Sequence, residues 1–163
     1  MNESTCSSSG VWCALAFGAV FISFDREQRD GRELSETMIT YTSDINHIAV
    51  ENLNGFFVGW AKPLTPEQHY AHLIKCAHFI AALDGNRVIG FITALSDGIG
   101  CAFIPLIEVL PEYQKQGIGS ELIRRMLHHL KDISAIDLIC DEDVQGFYEK
   151  FGMHKMTGMG LRK

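Results

Sequence analysis

The stretch that decides the fold is Glu108-Val109-Leu110-Pro111-Glu112-Tyr113-Gln114-Lys115-Gln116-Gly117-Ile118-Gly119-Ser120. An apolar run, residues 102–109, leads into it, and an amphipathic pattern over residues 118–131 leads out. Between them lies Gln114-x-x-Gly117-x-Gly119, a short glycine-bearing loop followed by Ser120. Strand, loop and helix N-terminus is the order a phosphate-binding turn needs. The N–H groups of a first helical turn have no acceptor within the helix. They carry partial positive charge that favours an anion. Glycine lets a ligand approach the backbone without a Cβ in the way. The reading is that a pyrophosphate sits here and that the rest of the chain presents a second substrate to whatever carries it. No G-x-G-x-x-G or G-x-x-x-x-G-K-[ST] occurs, which disfavours the dinucleotide and P-loop folds.

Composition sets the frame around this stretch. At 163 residues, 47% apolar and 21% charged, the chain fits one globular domain. Its net charge is −6 with no basic cluster, so no nucleic-acid partner is expected. The acidic balance suits a cationic acceptor such as an amine. The five cysteines, Cys6, Cys13, Cys76, Cys101 and Cys140, are scattered without a C-x-x-C and read as buried free thiols of a reducing, cytoplasmic setting.

Residues 1–37 differ from the rest. Residues 11–24 are continuously apolar but shorter than the roughly 20 residues a membrane span needs. Residues 1–10 carry Glu3 and no basic residue, unlike a signal peptide, and no membrane partner is expected. Residues 25–36 are charged without an apolar period. The functional domain is expected at residues 38–163, with residues 1–37 an extension that is non-native or loosely packed. The alternative is an extra element packed on the domain.

Within the domain, residues 39–42 read as a strand, and Asp44 as the cap of a short helix ending near Leu53. Thr65-Pro66-Glu67-Gln68 predicts a capped helix to about Cys76. Residues 78–83, 87–95 and 101–109 predict an antiparallel meander with turns at Asp84-Gly85-Asn86 and at residues 96–100. After the loop and its helix, residues 134–140 predict a buried strand, residues 143–151 a short helix and residues 153–161 a last strand. The fold class is α+β (mixed α/β).

Two motifs in this order, Gln114-x-x-Gly117-x-Gly119 and Phe147-Tyr148-Glu149-Lys150-Phe151-Gly152-Met153, resemble the GNAT superfamily of acetyl-CoA-dependent N-acetyltransferases. The likeness covers about residues 39–161. It implies the GNAT acyl-CoA N-acyltransferase fold, a central, mostly antiparallel mixed sheet with flanking helices. It also implies acetyl-CoA as cosubstrate and no metal. In such proteins the pantetheine arm pairs with the backbone at the positions of Glu108, Val109 and Leu110, where that strand splays from the next one. The pyrophosphate lies on the amides of Gln114, Lys115, Gln116, Gly117, Ile118, Gly119 and Ser120. Asp141 stands where an asparagine is common, and Asp143-Val144 replaces a small residue that usually follows it. With Phe147, Asp141 completes the expected cofactor contacts. Tyr148 matches the general acid that protonates the leaving thiolate.

Amine acetylation needs a deprotonated amine, a polarised thioester carbonyl and a proton for the departing sulfur. A backbone N–H near Val109 or Leu110 suits the second need. Glu108, among apolar neighbours at a strand end, is the candidate base if it faces the wedge; strand alternation alone leaves its direction open, and a water chain is the rival. Phe57 and Trp60 are candidate walls of the acceptor site, or core residues. His69-x-x-His72 has helical spacing for a metal but no third ligand cluster, so two partly exposed helix histidines is the plainer reading. The expected activity is transfer of an acetyl group to a primary amine of a small molecule or peptide by direct attack. A homodimer is the one protein partner considered. The alternative is a non-catalytic acyl-CoA-binding sensor or partner module.

Overall fold

A computed structural model of the chain describes residues 38–161. The expected boundary between residues 1–37 and the domain falls outside the described residues. Five strands form one sheet in the order β1 (Thr40–Thr42), β2 (His78–Asp84), β3 (Arg87–Ser96), β4 (Cys101–Val109) and β5 (Ala135–Leu138). All neighbours are antiparallel except β4 and β5, which run parallel. The parallel pair follows from the crossover through helix α2 (Ile118–His129), because a parallel connection needs a long excursion.

The sequence explains the elements that carry the sheet. Helix α1 (Pro66–Lys75) begins at Thr65 with both halves of a capping box: Gln68 N–H donates to the Thr65 hydroxyl, and Thr65 N–H donates to Gln68 Oε1. The two-residue hairpin between β2 and β3 turns at Gly85, whose φ of 58° is left-handed. Helix α2 buries Ile118, Leu122, Ile123 and Met126 on one face, each worth about 1.5–3 kcal/mol.

Successive residues of a strand point to opposite faces. Phe91 of β3 meets the His69 ring of α1 at 4.3 Å between centroids. A Cβ on the next residue back, Gly90, would meet Ile118 of α2 at 3.4 Å. The two helices therefore cover opposite faces, and β3 is buried on both.

Three sequence expectations are corrected. Residues 44–53 form two 3-10 turns, Ile45–His47 and Val50–Asn52, with extended backbone at Ile48 and Ala49 between them. Strand β5 is half-buried along one face, because it is the edge of the sheet. Residues 153–161 form no strand. Their methionines, Met153, Met156 and Met159, recur every third position rather than every second, and Gly158 and Gly160 offer nothing to pack. Met159 is 99% exposed. The cysteine reading shifts too: Cys76, Cys101 and Cys140 are free thiols, but Cys101 is exposed and the other two are half-buried.

Candidate active site

The site begins where β4 leaves β5. The β3–β4 register runs Thr93↔Leu106 and then Leu95↔Phe103, so Ala94 faces two residues, Ile104 and Pro105. This bulge bends β4. Pairing with β5 stops at Ile104↔Leu138. Pro105 has no N–H to continue a ladder. From Pro105 to Val109 the β5-side edge of β4 is open.

Which backbone groups face that opening follows from the ladder. Leu110 N–H donates to Ile89 O at 2.9 Å, and Leu110 O accepts from Tyr113 N at 2.9 Å. Both backbone groups of Leu110 are thus engaged, and its side chain is buried. This corrects the expectation that Leu110 offers an N–H to a thioester. Antiparallel pairs alternate, so Val109, opposite Gly90, is a non-hydrogen-bonded position whose N–H and C=O point away from β3. The carbonyl accepts from Gln114 Nε2 at 3.0 Å.

The loop beyond is built for close approach. Lys115 and Gly117 are left-handed, with φ of 63° and 85°. Gly117 caps α2 without a side-chain hydrogen bond, and Glu121 N is the first to bond back, to Gly117 O at 3.0 Å. The N–H groups of Ile118, Gly119 and Ser120 therefore have no intrahelical acceptor. A Cβ on Gly119 would sit 3.8 Å from both Phe147 and Val109, so the protein's own packing does not demand glycine there. Lys115 and Gln116 are exposed, and Gln116 Nε2 donates to Glu112 O at 3.2 Å. Two contacts fix the loop's root: Tyr113 donates to Asp84 at 2.7 Å, and Arg87 pairs with Glu112 at 2.7 Å.

Glu108 lies on the opposite face of β4 from Val109, toward α1. Its carboxylate accepts the Phe57 N–H, at 2.9 Å to Oε1 and 3.2 Å to Oε2. Burial pushes its pKa up to about 7, and the Phe57 N–H opposes that rise. The Phe57 ring itself is 1% exposed and packs on Trp60, His69 and Phe91. Of the two expected acceptor-site aromatics, Trp60 alone stays partly exposed, while the Phe57 side chain belongs to the core.

Helix α3 (Gln145–Glu149) carries Phe147 and Tyr148. Their rings lie 5.1 Å apart, with Phe147 half-buried and Tyr148 5% exposed. Burial, and secondarily the charge of a Cys140 thiolate, push the Tyr148 phenol well above its usual value. Its hydroxyl has no hydrogen-bond partner among the described residues. Asp141 is exposed and makes no side-chain cap to the 3-10 turn Glu142–Val144, and Val144 beside it is buried. On α1, His69 is 1% exposed with neither ring nitrogen bonded, and His72 reaches Thr93 and Cys76 at 3.5 Å. His69 is thus not the partly exposed helix histidine the sequence suggested. Among the described residues no three His, Cys, Asp or Glu side chains are grouped to hold a metal ion, and no helix is long and apolar enough to cross a membrane.

The model of the acetyltransferase (GNAT) family matches residues 43–153. The chain belongs to that family. A protein from Deinococcus radiodurans R1 assigned as an acetyltransferase superposes with a TM-score of 0.76 at 41% identity, over 83% of this chain and 94% of that one. A GNAT acetyltransferase, SP0256 of Streptococcus pneumoniae, gives 0.64 at 32% identity, over 77% and 98%. The N-acetyltransferase ycf52 of Porphyra purpurea, itself uncharacterized, is 30% identical over 77% of this chain and 75% of its own length. Acetyl-CoA is the cosubstrate that this family uses in general.

Within this GNAT domain, sequence reasoning missed three contacts: Asp84 to Tyr113, Arg87 to Glu112, and Phe57 to Glu108. The first two join residues 29 and 25 positions apart, and the third spans 51. No local pattern announces such pairs. The one available signal was a bulky residue, Phe57, between two glycines, Gly55 and Gly59, in a short loop.

Proposed function

We propose that this chain is an acetyl-CoA-dependent N-acetyltransferase acting on a primary amine of a small molecule or peptide. The observation that carries the reading is the open edge of β4 from Pro105 to Val109, which runs directly into the uncapped first turn of α2. An extended, amide-bearing arm pairs with such an edge, and a pyrophosphate suits the turn at its end. Val109 N–H, Gln114 and the amides of residues 115–120 hold the cosubstrate. Phe147 beside Gly119 borders the same turn.

Each step then has a group of this chain. Glu108, with a pKa of about 7, removes a proton from the acceptor ammonium near neutral pH. The amine nitrogen bonds to the thioester carbonyl carbon as the carbon–sulfur bond breaks. Val109 N–H donates to the charge developing on the carbonyl oxygen. Tyr148, protonated across the physiological range, gives its proton to the departing sulfur, and the second proton that the nitrogen loses as the amide forms restores the phenol. Trp60 flanks the acceptor, and the net charge of −6 favours a cationic one.

The test is CoA release from acetyl-CoA over a panel of small amines and peptides. Turnover that saturates with one amine class supports the reading. Tight acetyl-CoA binding without turnover on any amine would overturn it in favour of a binding module.

A further inference from the structure

We infer that Phe57 is a positioning residue: its buried ring fixes its main-chain N–H against the carboxylate of Glu108, so that the loop at residues 54–60 sets the orientation of that carboxylate. This rests on the reading of Glu108 as the base. The N–H lies 2.9 and 3.2 Å from the two oxygens, so one donor holds both. Phe57 adopts φ 61°, a left-handed conformation that is uncommon for a bulky residue. Gly59, at φ 85° and with open space where a Cβ would sit, shows how the same loop makes a left-handed bend where nothing else is asked of the residue.

Phenylalanine at 57 adds an anchor that glycine lacks. Its ring is edge-on to His69 at 4.9 Å and to Trp60 at 5.1 Å, and tilted on Phe91 at 5.8 Å. Its carbonyl accepts from Trp60 N at 3.2 Å. Phe91 is the direct cross-strand partner of Glu108. One residue therefore grips both members of that pair, Phe91 with its ring and Glu108 with its N–H. The titratable side chains on α1 behind these rings, His69 and His72, are held neutral by burial and add no charge near pH 7. Trp60, half-buried against the Phe57 ring, is where an acceptor's arrival meets this linkage.

Two variants separate the ring from the N–H. A backbone ester at position 57, with phenyllactate in place of Phe57, keeps the ring and removes the donor. Phe57→Gly keeps the donor and tolerates the left-handed φ but removes the anchor. The readouts are the ¹³C-NMR titration of the Glu108 carboxyl, which needs no acceptor, and the pH dependence of kcat. In the ester the Glu108 midpoint is expected to rise by about one unit, with kcat down about five-fold at pH 7 and recovered by pH 9. In Phe57→Gly, kcat is expected to fall at every pH while acetyl-CoA affinity holds. An unchanged Glu108 midpoint in the ester overturns the proposal. Should the ester not fold, Phe57→Gly decides: unaltered kcat and unaltered Glu108 titration overturn it. The base reading fails separately, if Glu108→Gln keeps the wild-type pH profile.

Discussion

Gln114 donates its side-chain Nε2–H to the Val109 carbonyl at 3.0 Å, folding the loop back on the strand it has just left. Two things follow from this one bond. The Val109 carbonyl is satisfied, which leaves the Val109 N–H as that residue's free backbone group at the end of the open edge nearest the loop. The main chain of residues 114–117 is also held close to that edge, so the strand end and the first turn of α2 form one continuous surface.

The bond makes a clean prediction. Gln114→Glu replaces the donor by a carboxylate, which repels both the Val109 carbonyl and a pyrophosphate. Acetyl-CoA affinity is expected to fall about ten-fold or more, since a like charge beside the pyrophosphate costs on the order of 1–4 kcal/mol. Gln114→Arg keeps a donor and should bind within a few-fold of wild type. Calorimetric titration with acetyl-CoA reads both, and equal affinities for the two variants would remove this role.

For Glu108 the direction of the shift matters. Its folded pKa, about 7, lies above the ordinary 4.5, so the folded state keeps its proton longer than the unfolded chain. Stability therefore falls as pH rises from about 4.5 to 7 and levels off above. Glu108→Gln should remove that slope and stabilise the protein by about 1–2 kcal/mol at pH 8, a figure reduced for partial exposure. The same change should lower kcat at pH 7 by about 10²-fold and abolish the ascending limb centred there. Thermal melts and rates over pH 5–9 measure both effects on one variant. A variant with the wild-type dependence of Tm on pH and the wild-type kcat would show that Glu108 is a bystander.

How much of this was legible beforehand varies with the range of the interaction. The strand β4, the loop and α2 were readable because each is specified locally: an apolar run, two glycines, a helical period. The Thr65–Gln68 capping box was readable for the same reason. The face that Glu108 occupies was not, because it depends on the β3–β4 register and on a bulge at Ile104 and Pro105. Whether Val109 or Leu110 offers its N–H was equally hidden, since one residue of register exchanges them. Residues 153–161 misled because methionines every third position look apolar enough for a strand without matching its period.

Tyr148→Phe deletes one oxygen from a residue 5% exposed and unbonded among the described residues. The fold and acetyl-CoA affinity should therefore be nearly unchanged. If the phenol supplies the proton to sulfur, kcat should drop ten-fold or more. Because the phenol is pushed well above its usual value, the wild-type rate should show no descending limb below pH 10 from this group. Steady-state rates from pH 6 to 10 test it. An unchanged kcat in the variant, or a wild-type descent near pH 8 that the variant lacks, would contradict the assignment.

His69 gives the opposite pH signature to Glu108. It is enclosed by Phe56, Phe57 and Phe91 at 5.2, 4.9 and 4.3 Å, with neither nitrogen bonded. Burial holds its pKa down at about 3. The unfolded chain takes up a proton near pH 6.5 while the folded state does not, so stability is present above 6.5 and is lost as pH falls toward 3. By pH 5 the loss from this residue alone is about 2 kcal/mol. Over pH 4.5–6.5 Glu108 contributes the reverse slope, and the two partly cancel in the wild type. His69→Met, a flexible apolar replacement, should leave Tm near the wild-type value at pH 8, where lost ring contacts offset two unsatisfied nitrogens. At pH 5 it should raise Tm by about 4–8 °C. Glu108→Gln should do the opposite in this window and steepen the acid loss. If the Tm–pH curve of His69→Met merely parallels that of the wild type, His69 is not buried neutral and the aromatic cage is open to water.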